Sequence, residues 1–346
     1  MAWTTPSHSK SRVDRAGRTL ADGVALSTIE EQGCLEIVNN WRSAHSFPLN
    51  TIQMLVRRHG RRISSKSLTA QRIKRLPSIV AKLQRKQSMR LSQLQDVGGC
   101  RCVLDTIGQV RRMRDALARS ATTHKIVGED DYLTTPKPDG YRSLHLIYKY
   151  SSPKSPAHEG LLIEVQLRSR LQHGWATAVE IVDTFLRTSL KSSIGPDSWK
   201  RFFVLASAAI AIKERATHVA GAPTDKAILR EELRALSGEL KVRSTLEAFG
   251  NALAVAETEA PPGIENFLLE LNPVTKTLSI TGFHDVHAST ATDEYLKAEL
   301  ALKKVEGGQA VLVAADSMQA LRRAYPNYFL DSAAFLNSLD EFLAVS

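Results

Sequence analysis

Two segments near the middle of the chain alternate apolar and polar residues with a period of two. In KPDGYRSLHLIYKY (137–150), Leu144, Leu146 and Tyr148 fall on one side, while Tyr141, Ser143 and His145 fall on the other. In LLIEVQLRS (161–169), Leu161, Ile163, Val165 and Leu167 oppose Leu162, Glu164, Gln166 and Arg168. Successive side chains on a strand point to opposite faces, so both segments predict strands with one core face and one polar face. A Pro-Asp-Gly turn signal precedes the first, and a Ser/Pro-rich loop at 151–160 joins them. CRCVLD (100–105), after Gly98-Gly99, predicts a short apolar strand, and HKIVGEDDY (124–132) holds another.

Helical spacing takes over elsewhere. Cys34, Leu35, Ile37, Val38 and Trp41 form an apolar stripe behind the capping-box pattern Ser27-Thr-Ile-Glu30. LPSIVAKLQRK predicts a helix with Pro77 in its first turn. VRRMRDALARSA (110–121) and LQHGWATAVEIVDTFL (171–186) read as helices. Helices first, then strands with helices between them, argue α+β or α/β with one central sheet.

The second half predicts long helices over 198–220 and 225–258, separated by GAPT. APPG (260–263) marks a linker. NFLLELNPVTKTLSITGF then predicts a hairpin turning at Asn272-Pro273, followed by a helix in ATDEYLKAELALKKV, a buried strand in AVLVAAD and a closing helix. Tyr325-Pro-Asn-Tyr328-Phe329 reads as core or as a domain interface. The 346 residues thus divide into an N-terminal helical segment (1–49), a core (50–190), a helical extension (191–260) and a small α/β module (264–346).

Composition narrows the class. Hydrophobic residues make up 43%, ample for a core, yet no run approaches the roughly 18 apolar residues of a membrane span. The polar N-terminus lacks an apolar signal core, so a cytoplasmic protein without a membrane partner is expected. Cys34, Cys100 and Cys102 form no disulfide framework and no zinc site, and are expected as buried thiols. The formal charge is +10, and it is concentrated. No acid occurs between Glu36 and Asp96. Twelve basic residues lie in 57–90: Arg57, Arg58, Arg61, Arg62, Lys66, Arg72, Lys74, Arg75, Lys82, Arg85, Lys86 and Arg90. An uncompensated run of this kind favours a polyanion partner, either a nucleotide polyphosphate or a nucleic-acid backbone.

Glu164 changes the picture further, because it places a charge at mid-strand. Asp96 precedes another strand at the end of the basic region. Two carboxylates on neighbouring strands make the hard-oxygen site that Mg2+ takes, with phosphates completing the shell. A metal, cationic clamps and a positioned nucleophile are what phosphoryl-type transfer needs.

Four ordered blocks over roughly 50–186 resemble the nucleotidyltransferase-like synthetase domain of RelA/SpoT-type alarmone synthetases. QRIKRLPSIVAKLQRK is similar to the family's basic ATP-binding block, and QDVGGCRCVLD to its metal-aspartate strand. DDYLTTPKPDGYRSLHL is similar to the acceptor loop, and EVQLRSRLQHGWATAVE to the catalytic-glutamate strand and following helix. The resemblance implies a mixed sheet flanked by helices, and a reaction moving the β,γ-pyrophosphate of ATP to the 3′-hydroxyl of GDP or GTP to give (p)ppGpp. It assigns ATP phosphates to Arg72, Lys74 and Lys82, assisted by Arg101. Mg2+ goes to Asp96 and Glu164, with Glu164 also the base at the acceptor hydroxyl. Tyr141 would stack on the acceptor base, Lys137 and His145 would contact acceptor phosphates, and Gln166 and Arg168 would share that wall.

There are departures from the pattern. Asp139 stands where the family usually has Asn. Only about fifty residues precede the core, too few for the family's His-Asp hydrolase domain, and the dipeptide His284-Asp285 lacks the helical metal-site context, so hydrolysis is not expected. The acceptor stays open. Relatives of this type include toxins that pyrophosphorylate the 3′-CCA end of tRNA, and others that modify adenine nucleotides. Arg57, Arg58, Arg61 and Arg62 lie outside the ATP block and could bind tRNA, with the C-terminal module as a fused regulator. An inactive nucleotide or RNA sensor is the reading from another class. Small relatives of this kind often self-associate, so a homo-oligomer is an open expectation.

Overall fold

The computed structural model describes residues 3–23, 28–186, 196–251, 254–257, 264–284, 288–305, 307–314, 318–326, 329 and 332–344. The helices are α1 (Lys10–Asp22), α2 (Thr28–Ala44), α3 (Ser46–Ile63), α4 (Leu76–Arg85), α5 (Ile107–Ala118), α6 (Arg170–Leu186), α7 (Pro196–Lys213), α8 (Lys226–Glu239), α9 (Val242–Asn251), α10 (Ala288–Leu302), α11 (Met318–Ala324) and α12 (Ala333–Ala344). The strands are β1 (Leu68–Ile73), β2 (Gly98–Leu104), β3 (Lys125–Asp131), β4 (Leu144–Lys149), β5 (Leu162–Ser169), β6 (Ala254–Glu257), β7 (Ile264–Asn272), β8 (Thr277–His284) and β9 (Gln309–Ala314).

The strands form a single mixed sheet in the order β3-β4-β5-β2-β1-β9-β7-β8-β6. β2 and β5 are parallel, while β1–β2, β3–β4 and β4–β5 are antiparallel. This is the mixed α+β architecture with helices against the sheet. The apolar faces anticipated for β4 and β5 are buried as expected. Leu144, Leu146, Tyr148, Ile163, Val165 and Leu167 pack with Cys100 and Cys102 of β2 beneath α3 and α5. Gly98 leaves room for the Ile163 side chain of β5, since a Cβ there would stand 2.7 Å from Ile163 Cδ1. The alternate residues of β2, β4 and β5 therefore line the opposite face.

The sequence sets 264–346 apart, but the sheet runs across that division. β9 pairs with β1 at Gln71–Ala314 and Arg72–Val313, so β7, β8 and β6 extend the core sheet beyond β1. α12 crosses it too: Phe335, Leu336 and Leu339 join the cluster built by α6, α7, α8 and α9. The Asn272 hairpin forms as expected, with Asn272 Oδ1 accepting from the N–H groups of Val274 and Thr275. The helix expected over 225–258 is interrupted at Lys241 and gives way to strand at Ala254–Glu257, which pairs parallel to β8. Ser27 of the capping-box pattern, Asp285 of the His-Asp pair and Tyr328 of the aromatic cluster lie outside the described residues. Among those described, no helix is long and apolar enough to cross a membrane.

Candidate active site

Asp96 sits in the turn entering β2, and Lys74 sits just past the end of β1. The two segments are tied by Lys74 N–H donating to Val97 O at 2.8 Å. That contact brings the Lys74 ammonium to Asp96 Oδ2 at 2.8 Å, while Lys82, two turns into α4, reaches Oδ1 at 3.1 Å. Burial pulls the Asp96 carboxyl up, but the two ammonium groups together outweigh it and hold it below its ordinary value. At Lys74 the balance reverses. Burial lowers its pKa more than Asp96 restores it, and Lys82 and Arg72 push the same way.

Glu164 projects from the polar face of β5. The register sets two rows across the sheet, Arg72–Gly99–Glu164–Ile147 and Ala70–Arg101–Gln166–His145. From Glu164, Gln166 and His145 of these rows a closed ring of hydrogen bonds runs through Arg168 and Tyr141. His145 Nδ1 meets Glu164 Oε1 at 3.1 Å. Gln166 Nε2 donates to Glu164 Oε2 at 2.6 Å, and Gln166 Oε1 accepts from Arg168 Nη2 at 3.1 Å. The same Arg168 nitrogen donates to Tyr141 Oη at 2.8 Å, and that hydroxyl pairs with His145 Nε2 at 2.8 Å. Every side chain in the ring thus fixes its neighbour.

The charges follow from this wiring. Burial raises the Glu164 carboxyl, but His145 and Gln166 more than offset it, against repulsion from Asp96, so Glu164 lies below its ordinary value. His145 is raised: burial opposes its charge, and Glu164 and Tyr141 overcome that. Tyr141 is held down at about 8, because Arg168 and His145 outweigh the burial that would raise it.

Asp96 and Glu164 line one small cavity of about 40 Å3 with Arg72, Lys74, Arg101, Gln166 and Tyr325. That volume takes only a few waters. Arg101 is pushed down to about 10 by burial first, then by Arg168 and Arg72. Arg101 Nε and Arg168 Nε and Nη1 are buried without a hydrogen-bond partner. Buried guanidinium groups of this kind call for an anion. A second cavity of about 510 Å3 shares Lys74 and Asp96 and opens between α4 and the C-terminal part of the sheet. Arg75, Lys82 and Arg85 line one side of it, and Lys303 with the turn at Gly307–Gln309 lines another.

Most of the residues singled out from sequence therefore meet at one place, and some do not. Arg72, Lys74, Lys82, Asp96, Arg101, Glu164 and Gln166 line the two cavities, and Arg168, His145 and Tyr141 complete the ring beside them. Lys137 stands over the rings of Tyr132 at 4.4 Å and Tyr141 at 5.0 Å, and the Arg168 guanidinium is 5.2 Å from the Tyr141 ring. A base stacking on Tyr141 would share that ring with these cations. Arg57, Arg58, Arg61 and Arg62 belong to the last turns of α3, the helix covering the opposite face of the sheet, and line neither cavity. Sequence reasoning missed Tyr132, whose ring meets those of Tyr141 and His145 edge-on. It also missed Tyr325 as a cavity wall: the phenol is 3% exposed and donates to Gln71 O at 2.6 Å.

Two ionised carboxylates thus face a wall of cations across a shared cavity, a charge arrangement of the kind that suits a polyphosphate. Residues 71–181 match the family model described as the region found in RelA / SpoT proteins. GTP pyrophosphokinase YwaC of Bacillus subtilis (strain 168) is 33% identical over 115 residues, 32% of this chain and 54% of that protein. GTP pyrophosphokinase YjbM of the same organism is 30% identical over 109 residues, 31% of this chain and 51% of that protein. The chain thus spans about half the length of the curated relatives it matches. Among solved structures, the small alarmone synthetase 1 from Bacillus subtilis bound to its product pppGpp has 20% sequence identity and a TM-score of 0.43, covering 51% of this chain and 94% of that one.

Proposed function

We propose that this chain is an ATP-dependent pyrophosphokinase that transfers the β,γ-pyrophosphate of ATP to the 3′-hydroxyl of GDP or GTP. One observation carries the reading: Asp96 and Glu164 line the same cavity as Arg72, Lys74 and Arg101. The naming of both curated relatives as GTP pyrophosphokinases supports the guanosine acceptor.

In this reading the larger cavity takes ATP, with Lys74, Lys82, Arg75 and Arg85 against its phosphates. The small cavity is where the acceptor oxygen meets the β-phosphorus. A bond forms between that oxygen and the β-phosphorus, the bridge to the α-phosphate breaks, and AMP leaves. Glu164 accepts the hydroxyl proton, and the ring through His145, Gln166, Arg168 and Tyr141 keeps its carboxylate aimed. Arg72 and Arg101 compensate charge on the transferred group, an electrostatic role of the kind that dominates such reactions.

The donor set suits Mg2+. Both carboxylates are ionised at neutral pH, share a cavity, and feel each other's charge. Among the described residues no cluster of three or more His, Cys, Asp or Glu exists, so phosphate and water oxygens would supply the remaining ligands. When bound, the ion would neutralise charge on the phosphates. The test is to incubate the protein with γ-labelled ATP and either GDP, GTP or bulk tRNA. Label is expected on the guanosine nucleotide and is lost in Glu164→Gln. Label on tRNA alone would replace the acceptor, and no transfer to any of them would remove the reading.

A further inference from the structure

Helix α4 carries Lys82 and begins directly after Lys74 and Arg75, yet its own sequence supplies no cap. Its N-cap residue, Arg75, makes no side-chain cap hydrogen bond. The N–H of Leu76 donates instead to Glu299 Oε1 on α10, at 2.7 Å and 223 residues away. The first N–H groups of a helix lack partners within it, and a carboxylate there also gains from the helix dipole.

Glu299 is 7% exposed, and a lone carboxylate at that depth would be costly. Arg42 of α2, 1% exposed, compensates it. Its Nη1 donates to Oε2 at 2.9 Å and its Nη2 to Oε1 at 3.2 Å. Tyr295 Oη donates to Oε1 at 3.0 Å and accepts from Arg42 Nη2. The remaining nitrogen, Nε, donates to Lys74 O at 3.1 Å. One guanidinium therefore grips α10 on one side and, on the other, the backbone of the lysine that pairs with Asp96.

We propose that Glu299 and Arg42 are positioning residues for the polyphosphate wall. They fix the backbone from Lys74 through the first turn of α4, and so set where Lys74 and Lys82 stand relative to Asp96. The inference rests on the nucleotide reading above. It gives the C-terminal part of the chain a role in building the site, in addition to extending the sheet. By linkage, nucleotide held by Lys74 and Lys82 stabilises the docking of α10 in return.

The test uses the full chain and two readouts: hydrogen exchange over 74–80, and affinity for a non-hydrolysable ATP analogue with Mg2+ by calorimetry. Glu299→Gln keeps an acceptor for the Leu76 N–H and loses the ion pair, whereas Glu299→Ala loses both. Leu339→Ala, a buried truncation in α12, controls for lost stability alone. Glu299→Ala is expected to speed exchange over 74–80 at least tenfold and to weaken the analogue at least tenfold. Glu299→Gln should fall between, and Leu339→Ala should change neither despite a lower melting temperature. Unchanged exchange in folded Glu299→Ala overturns the proposal, and so does faster exchange with unchanged affinity. If Glu299→Ala does not fold, Arg42→Lys, which cannot reach Glu299 and Lys74 O together, carries the same two expectations. A wild-type protein that binds no ATP analogue while exchange still responds would overturn the nucleotide reading and leave the helix contact standing as architecture alone.

Discussion

Replacing Asp96 by Asn removes the charge that Lys74 and Lys82 share and nearly preserves the shape. Side-chain exposures of 19% for Asp96, 18% for Lys74 and 24% for Lys82 place the cluster between surface and core. At about 3 Å and an effective dielectric of about 20, each pair attracts by roughly 5 kcal/mol before desolvation. Burial removes much of that, since Lys74 stays below its ordinary pKa even beside the carboxylate. Exposed pairs contribute about 0.2–1 kcal/mol, and breaking buried ones costs about 3–5 kcal/mol. Intermediate exposure puts Asp96→Asn at roughly 1–3 kcal/mol of lost stability. The pH dependence gives the sign. The Asp96 pKa in the folded chain lies below the ordinary 3.8, so its contribution is complete above that value and disappears as pH falls through the folded one. Urea denaturation should therefore show wild type more stable than Asp96→Asn at neutral pH, with the gap closing in acid. Transfer should be abolished throughout. An Asp96→Asn protein as stable as wild type at neutral pH, or a gap that widens in acid, would refute the charge balance drawn from these contacts.

The remaining expectations address the ring, the cavity wall, the turn and α3. Tyr141 is held down at about 8, so a phenolate absorbance step near that pH should vanish in Tyr141→Phe; its persistence would place the low-pKa phenol elsewhere. Tyr325→Phe loses one hydrogen bond to Gln71 O, worth about 1 kcal/mol, and with it one tie on the backbone beside Arg72, so it should lower the melting temperature and weaken binding of an ATP analogue in calorimetry; unchanged affinity would show that this tie does not position the cation wall. Gly140→Ala forces a side chain onto φ +87° with its Cβ 3.0 Å from Ser207 Cβ, at roughly 1–3 kcal/mol, visible as a lower melting temperature and weaker use of the acceptor; a melting temperature equal to wild type would contradict the strain. Reversing Arg58 and Arg62 to Glu should leave ATP-analogue affinity within about twofold, because α3 covers the other face of the sheet; a tenfold loss would place these arginines in the nucleotide site.

The alternation of β4 and β5 was legible because one face of each is fully apolar, and a period of two admits only one arrangement of Glu164, Gln166 and Arg168. The site residues on those strands could be named for that reason. β1 was hidden. LTAQRI carries no clean alternation, and its neighbour on one side is β9, supplied from 243 residues further on: Gln71 pairs with Ala314. The strand at Ala254–Glu257 was hidden in the same way, since its partner β8 follows it in the chain and nothing local in AVAE distinguishes strand from the helix before it. The ring was legible in its members and not in its wiring. Which nitrogen of His145 faces Glu164, and which partner Arg168 takes, depend on side-chain placement that a period cannot carry. Tyr325 was noticed as part of an aromatic cluster, and core was the reasonable expectation. It is buried, but its hydroxyl end meets the backbone of β1 at the cavity.

The basic run of 57–90 looked like one feature in sequence, and the sheet divides it into two. Arg57, Arg58, Arg61 and Arg62 end the helix that covers the Cys100–Cys102 face. Arg72, Lys74, Lys82 and Arg85 line the cavities on the Asp96–Glu164 side. In the proposed reading it is the second group that faces the phosphates, and it is held from three directions that its own sequence does not contain. β9 pairs along Gln71 and Arg72, Tyr325 donates to Gln71 O, and Glu299 takes the first N–H of α4. A lysine side chain loses rotamer freedom when it is placed, and a backbone that can shift places it poorly. The three ties reduce that freedom before any nucleotide arrives. They come from the chain after residue 264, so the geometry of the cation wall and the docking of the C-terminal strands are one equilibrium rather than two.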